Sequence, residues 1–384
     1  MRCRRGGSSR SWVVWVVWVV LGLAVALIGA GCTVSKVASE ASIHLTGTVV
    51  DAEGRPVAGA PLRLFKEVDF GEALGGLTLA LATLGAACFL SNGPAVCARA
   101  RKATSGPSGG FSFDLTGRDT QGSVGNADSF DLTTLLPPSS GGPARAATTV
   151  RFRIQRTTLA IPALRAWGGP IQVTDGRPAV GVGWTPLPAS GYGASPSYSV
   201  QFVDRTTQQA VATVAGASPG ASVDSRWLED RSGEAEVDAS TRQKGPGTDF
   251  VFTYRSQTAP FQGHASPPSR GAQCFASTAA QPPAPVNPCR LTDGDLFTPG
   301  SVAGDSVYVD LARPTSIGLV VVRGGSSALA IESSTDAKAW NPLGNTSGGF
   351  SPVKPAGATT ARYIRVRSTS GASAANLTEI SVWP

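Results

Sequence analysis

The chain has 384 residues and a formal net charge of +7 at pH 7, from 33 basic and 26 acidic side chains. Four of the basic residues are arginines before residue 31, where no acidic residue occurs, so the rest of the chain has 29 basic against 26 acidic residues. Nucleic-acid binding requires a clustered basic face. This small, dispersed excess of charge predicts no nucleic-acid partner.

The N-terminal segment has the parts of an export signal. Basic residues up to Arg10 precede an uncharged apolar run from Trp12 to Ile28, and the small residues 29–31 follow. Cys32 comes next, and this arrangement resembles the lipobox of bacterial lipoproteins, in which the cysteine is acylated and becomes the new N-terminus. The resemblance implies a signal peptide over residues 1–31, a lipid on Cys32 that holds the protein on the membrane, and a tether over residues 32–42.

Two alternatives apply to the same segment. The apolar run also suits an uncleaved membrane anchor, because its length is close to the roughly 20 residues that span a bilayer. Cleavage without lipidation is the other alternative. In each case the arginines stay cytoplasmic and the rest of the chain is exported. We therefore predict a lipid-anchored, extracytoplasmic location in the bacterial cell envelope, facing the periplasm or on the cell surface.

The remaining cysteines fit an exported protein. Apart from Cys3 and Cys32 they form two close pairs, Cys88/Cys97 and Cys274/Cys289. An even number of cysteines in an oxidising compartment predicts two local disulfides. A tetrahedral metal site is not expected, because neither pair has C-x-x-C spacing and the chain has only two histidines.

Strand patterns begin at Ile43. Alternating segments lie at 43–51, 61–65 and 111–115, and the turn between the first two contains Gly54, which is free to adopt positive φ. The spaced glycines, prolines and apolar residues of 47–64, followed by Gly110–Phe113, resemble the carboxypeptidase regulatory-like domain. The resemblance implies a transthyretin-like β-sandwich over residues 43–156. That family's module carries no catalytic residues, so a structural or adhesive unit is expected.

A hydrophobic insertion over residues 69–97 interrupts this module. Its segment 73–90 has no charged residue and is long enough for a membrane span. However, it contains several glycines and falls between two strands of one sandwich, so we predict a helix that is buried or covered by a partner. A membrane-dipping segment is the alternative, because an exposed apolar patch of this size marks an interaction site.

Short alternating strands at 180–184, 198–203, 210–214 and 250–254 predict a second β-sandwich over residues 170–256, with Trp184 in its core. Its Trp-x-Pro and Tyr-x-Val-x-Phe elements are similar to those of fibronectin type III or other immunoglobulin-like modules. The proline-rich residues 257–271 are predicted to be a linker.

The C-terminal part carries several blocks in a fixed order. In chain order these are Leu291–Thr298, Val307–Leu311, Ile331–Trp340, Ala361–Val366 and Leu377–Val382. They resemble the discoidin or coagulation factor 5/8 C-type domain, a galactose-binding-like jelly roll, over residues 272–384. Alternation independently places Tyr308 opposite to Val307 and Val309 on its strand. The predicted fold class is therefore all-β, with three tandem β-sandwich modules.

The discoidin resemblance implies a structural calcium held by Asp293, Asp295, Thr298 and Glu379. Oxygen ligands suit such a hard cation. A polar turn without metal is the alternative, and no other cofactor is expected. The ligands of the family, often glycans or anionic lipid headgroups, bind in variable loops. Arg323 and Trp340 are candidates for exposed loops, although a core position is the stronger expectation for Trp340.

No catalytic residues are predicted. Residues 216–220 fit G-x-S-x-G, but Pro219 follows the serine directly and no helical pattern comes after it, as a nucleophile elbow requires. His44 lies in a strand and His264 in the linker, which favours no Ser-His-Asp site. We predict a non-enzymatic, membrane-anchored binding or adhesion protein that recognises a glycan or surface polymer through its discoidin-like domain. The alternatives are an assembly component whose hydrophobic insertion docks an envelope protein partner, and a hydrolase.

Overall fold

The computed structural model describes residues 37–66, 101–120, 129–136, 145–188, 190–216, 219–263, 265–278, 281–300, 304–325, 328–346, 348–369 and 376–384. These residues form strands and two short 3₁₀ turns without any α-helix, which confirms the predicted all-β class. Within these ranges no helix is long and apolar enough to cross a bilayer. The predicted signal peptide, Cys32 and the insertion with Cys88 and Cys97 lie outside the described residues.

The strands follow one another closely along the chain. In order they are β1 (Ser42–Val50), β2 (Pro61–Lys66), β3 (Arg101–Thr104), β4 (Gly110–Thr116), β5 (Ser129–Leu136), β6 (Arg145–Arg153), β7 (Thr158–Ala160), β8 (Leu164–Arg165), β9 (Ile171–Thr174), β10 (Ala179–Trp184), β11 (Ala194–Asp204), β12 (Ala210–Gly216), β13 (Gly220–Asp224), β14 (Ser232–Gly245), β15 (Thr248–Arg255), β16 (Ala259–Gln262), β17 (Gln273–Thr278), β18 (Gln281–Val286), β19 (Ser306–Ile317), β20 (Leu319–Gly324), β21 (Leu329–Ser334), β22 (Asn341–Thr346), β23 (Ser351–Val353), β24 (Thr359–Ser368) and β25 (Leu377–Trp383).

The chain divides into two compact units. The N-terminal unit comprises the described residues up to Gly168 together with Pro188–Ser195 and Ser240–Tyr254, and the C-terminal unit comprises Gly169–Leu187, Pro196–Ala239 and Arg255–Pro384. The C-terminal unit thus contains most of the predicted middle module and the whole predicted discoidin-like module. The predicted module boundaries stay a prediction.

The N-terminal unit has two sheets. In the first, β1 pairs antiparallel with β4 and parallel with β7 and β8. In the second, the strands run in the order β15-β6-β5-β2-β3. Alternation buries every second side chain of β4, as the sequence predicted. The predicted turn after β1 is held by the Asp51 carboxylate, which accepts hydrogen bonds from the backbone N–H groups of Glu53 and Arg55, and Gly54 adopts a φ of 87°.

The C-terminal unit begins with what we call the middle sandwich. One sheet has the order β13-β10-β9, and β11 pairs with β12 and lies beside β14, which also pairs with β16. Trp184 is buried as predicted and packs against Tyr198, with 5.5 Å between ring centroids. A Cβ on Gly216 would lie 2.6 Å from the Trp184 ring, so only glycine permits this approach.

The rest of the C-terminal unit is what we call the C-terminal sandwich. Its large sheet has the order β18-β17-β19-β24-β21-β22, and its small sheet has the order β23-β20-β25. Apolar side chains from both sheets form the buried core between them. Because side chains alternate along a strand, every second residue of the large sheet points away from this core.

A second apolar cluster lies on the other side of the small sheet. Leu319, Val321 and Trp383 form it, and Trp227 and Phe350 pack against it. Trp227 belongs to the 3₁₀ turn that follows β13 of the middle sandwich. The predicted linker also contacts the small sheet, because the Ser269 hydroxyl donates to Ile380 O and accepts from Val382 N. The two sandwiches therefore share buried contacts within one unit.

Candidate functional site

The outer face of the large sheet in the C-terminal sandwich carries aromatic side chains. Val307 and Val309 on β19 are fully buried in the core, so Tyr308 between them points outward, as the sequence predicted. In the strand pairing Phe275 lies opposite Tyr308. On the other side of β19, Tyr363 of β24 pairs with Asp310 and also points outward.

Four rings meet on this face, and we call them the aromatic cluster: Phe275, Tyr308, Tyr363 and Trp340. Tyr308 is the central member, with centroid distances of 5.1 Å to Phe275, 6.0 Å to Tyr363 and 5.8 Å to Trp340. It is 7% exposed, whereas its three neighbours are half-buried. Burial raises the pKa of the Tyr308 hydroxyl, and the nearby Tyr363 and Asp310 add to this effect. The three outer rings therefore form an apolar surface that packs against the buried Tyr308 ring.

Trp340 is held in place by a tight turn after β21. The Asp336 carboxylate accepts hydrogen bonds from the backbone N–H groups of Lys338 and Ala339, at 2.8 and 3.0 Å. These bonds lower the pKa of Asp336. The Ser334 hydroxyl also accepts from Ala337 N at 2.9 Å. The sequence favoured a core position for Trp340, and this was wrong: the ring lies on the outer face, because the turn returns it over the sheet.

Ion pairs surround the aromatic cluster. Arg362 binds Asp310 through Nε and one terminal nitrogen, at 2.8 and 2.9 Å, and its guanidinium lies 4.9 Å from the centroid of Tyr363. The hydrogen bonds from Arg362 lower the pKa of Asp310. Such a bidentate pair fixes both side chains on the sheet.

A second set of ion pairs lies beside Trp340. The Arg365 guanidinium stacks over the Trp340 ring at 4.2 Å and donates to Glu332 at 2.6 Å. Arg367 approaches the other oxygen of Glu332 at 3.6 Å. The face therefore combines apolar ring surface with hydrogen-bonding groups in fixed positions, which is the chemistry of a binding surface.

The predicted calcium ligands lie at the loop before β19 and on β25. The structure brings Glu379 to this loop, because Gly294 N donates to Glu379 Oε2 at 3.3 Å. Asp293 accepts from Asp295 N, whereas Asp295 accepts from Phe297 N and Thr298 N. Asp295 and Thr298 are thus bound to each other in the turn.

Glu379 fits a cation better than the other three residues do. It is fully buried, and among the described residues its Oε1 has no hydrogen-bond partner. Burial, with help from the charges of Glu229 and Asp293, raises its pKa to about 8. Glu379 and Asp293 would supply oxygens to a calcium ion. The described residues contain no group of three or more His, Cys, Asp or Glu side chains arranged for a metal, so the calcium site stays a prediction.

Two arginines that were not predicted from the sequence lie close to the predicted calcium loop. Arg231 donates to Gly294 O, and Arg270 binds the buried Glu229 carboxylate at 2.6 Å. The other Glu229 oxygen accepts from the Ser381 hydroxyl at 2.6 Å. These contacts join positions more than 40 residues apart, so no local sequence pattern reveals them.

The structure settles two further predictions. The Cys274–Cys289 disulfide is present and is adjacent to Phe275 in the chain. Arg323 was a candidate for an exposed loop, and this was wrong: it is 5% exposed on β20 and donates to the carbonyl groups of Val211 and Trp227. Burial lowers the pKa of Arg323 to about 10. Its role is therefore structural, because both terminal nitrogens of its guanidinium donate to carbonyl groups inside the unit.

No family model and no curated protein matches the chain. Solved structures similar to part of it include carbohydrate-binding modules. Chitosan-binding module 1 from a chitosanase/glucanase of Paenibacillus sp. IK-5 is 22% identical with a TM-score of 0.26, over 31% of this chain and 98% of that chain. CpGH89CBM32-6 of Clostridium perfringens is 18% identical with a TM-score of 0.24, over 29% and 93%. A pectin-binding carbohydrate-binding module is 21% identical with a TM-score of 0.20, over 25% and 78%.

Proposed function

We propose that this protein binds a polysaccharide through the aromatic cluster on the C-terminal sandwich. The observation that carries the proposal is the grouping of Phe275, Trp340 and Tyr363, all half-buried, around Tyr308 on the outer face of a sheet. Large apolar side chains grouped at a surface mark an interaction site more often than scattered ones do.

A sugar polymer suits this surface for chemical reasons. One side of a pyranose ring presents C–H groups that pack on aromatic rings, while its hydroxyl groups need hydrogen-bond partners. Tyr and Trp provide both an apolar ring and a polar group. The ion pairs of Arg362 with Asp310 and of Arg365 with Glu332 supply further donors and acceptors at the edge of the cluster. Ring surface and polar groups are thus available together.

The proposal includes the location and the class of the protein. We propose a non-enzymatic lipoprotein that is anchored through Cys32 and exposes its sandwiches outside the cytoplasm. The Cys274–Cys289 disulfide supports an oxidising compartment, because disulfides are rare in the cytosol. Mass spectrometry of the mature N-terminus tests the anchor: an unmodified Cys32 within an intact N-terminal peptide would contradict it.

Binding of the whole chain to a glycan array and to insoluble polysaccharides tests the function. We expect Trp340→Ala and Phe275→Ala to weaken binding about tenfold or more, since buried aromatic contacts commonly dominate binding free energy. Phe297→Ala is the matched control, because Phe297 is also half-buried in this sandwich but lies in the predicted calcium loop. The thermal unfolding midpoint of each variant verifies its fold. Unchanged binding by both cluster variants would contradict the proposal.

A further inference from the structure

The charges around the aromatic cluster indicate which kind of polysaccharide it binds. We infer that the ligand is an acidic polysaccharide and that Arg367, together with Arg365, binds its carboxylate groups. This inference rests on the proposed function and adds the ligand class to it. Three guanidinium groups and two carboxylates form the ion pairs beside the rings, so these pairs carry one excess positive charge.

The excess charge is localised at one end of the cluster. Arg362 binds Asp310 through two short hydrogen bonds, so the charges of this pair cancel. Arg365 and Arg367 instead share the single carboxylate of Glu332. Arg365 lies 2.6 Å from one oxygen of Glu332, whereas Arg367 lies 3.6 Å from the other. Two positive charges therefore face the one negative charge of Glu332.

Arg367 is the more available of the two arginines. Its side chain is 43% exposed, against 23% for Arg365 and 14% for Glu332. An ion pair this exposed and this long contributes little stability. A ligand carboxylate thus competes for the Arg367 guanidinium at low cost, and the rigid fork of that group binds a carboxylate through two parallel hydrogen bonds.

The strand geometry places Arg367 next to the aromatic cluster. Arg365 and Arg367 lie two residues apart on β24 and point to the same face, so their Cα atoms are separated by about 7 Å. Arg365 pairs with Glu332 across the strands and stacks on Trp340. A sugar packed against Trp340 therefore has a positive group within reach of its ring substituents.

The test compares a charged polymer with its neutral form. Polygalacturonate and fully methyl-esterified polygalacturonate have the same backbone and differ in the charge of the carboxyl group. We expect the whole chain to bind the acid form at least about tenfold more tightly, because hydrogen bonds between charged groups are the stronger kind. Sodium chloride at about 0.5 M should remove most of this preference by screening.

Substitutions of single arginines identify the guanidinium group that causes the preference for the acid form. Arg367→Gln should abolish the preference for the acid form over the ester form, and Arg367→Lys should restore part of it, since lysine keeps the charge but not the fork. Arg205→Gln is the matched control, because it removes an exposed arginine from the turn after β11. Equal weakening by Arg205→Gln and Arg367→Gln would reveal a non-specific charge effect and overturn the inference.

The remaining outcomes separate the inference from the proposed function. Equal affinity for the acid and ester forms, lost in Trp340→Ala, would overturn the acidic ligand but support polysaccharide binding. Binding to neutral array glycans without binding to polygalacturonate would have the same meaning. Binding to phosphatidylglycerol vesicles without binding to any polysaccharide would overturn both, because the face would then recognise a lipid surface.

Discussion

Replacing the buried carboxyl of Glu379 with an amide should change how stability depends on pH. Glu379 is fully buried on β25, and its pKa rises to about 8 from an ordinary value of 4.5. Burial is the main cause, and Glu229 and Asp293 add repulsion. Glu379→Gln keeps the size of the side chain and the acceptor for Gly294 N but removes the titration.

The direction of the change in stability with pH follows from the raised pKa of Glu379. The folded state retains the Glu379 proton at pH values where the unfolded state has lost it, so its contribution to stability is complete below about pH 4.5. That contribution is lost as the pH rises to about 8. Each unit of pKa difference corresponds to about 1.4 kcal/mol. Between about pH 5 and about pH 8 the protein should therefore lose about 3 kcal/mol relative to Glu379→Gln.

Urea unfolding followed by tryptophan fluorescence, in buffer with EDTA, measures this difference at several pH values. Asp336→Asn is the control, because hydrogen bonds lower the pKa of Asp336 and its contribution stays constant in this window. A difference between the parent protein and Glu379→Gln that varies by less than about 1 kcal/mol from about pH 5 to about pH 8 would refute the reasoning.

Three further outcomes are expected. Millimolar calcium should raise the thermal unfolding midpoint of the parent protein but not of Glu379→Gln, by mass action on a bound cation; an equal response of both would contradict the predicted site. Replacing Cys274 and Cys289 together with Ser should lower the free energy of unfolding by about 3 kcal/mol in urea titrations, since the disulfide closes a loop of 15 residues, and an unchanged midpoint would contradict this. A fragment of residues 272–384 should bind the dye ANS more strongly than the whole chain, because removing Trp227 uncovers the second apolar cluster; equal dye binding would show that the C-terminal sandwich closes that surface itself.

Local patterns predicted the strands and their faces well. Val307, Tyr308 and Val309 show why: neighbouring side chains of a strand point to opposite sides, so alternation in the sequence becomes alternation in burial. The Cys274–Cys289 pair was also predictable, since the two residues are close in sequence and the compartment is inferred from the N-terminal segment.

Long-range contacts determined the burial of side chains whose position the sequence pattern did not predict correctly. Arg323 looked like a surface arginine, yet its partners Val211 and Trp227 are 112 and 96 residues away in the chain. Trp340 looked like a core residue, yet it rests under Arg365 of another strand. Whether a charge or a ring is buried depends on which strands become neighbours, and sequence spacing does not contain this information.

The sequence by itself determined the all-β class, the alternation of each strand and the pairing of Cys274 with Cys289, because these depend on local geometry. Only the tertiary structure decided that four rings from β17, β19, β24 and the turn before β22 meet on one face, with Arg365 and Arg367 sharing Glu332 beside them. A binding surface on a sheet is formed across strands that are distant in the chain, and its composition therefore depends on strand order and register.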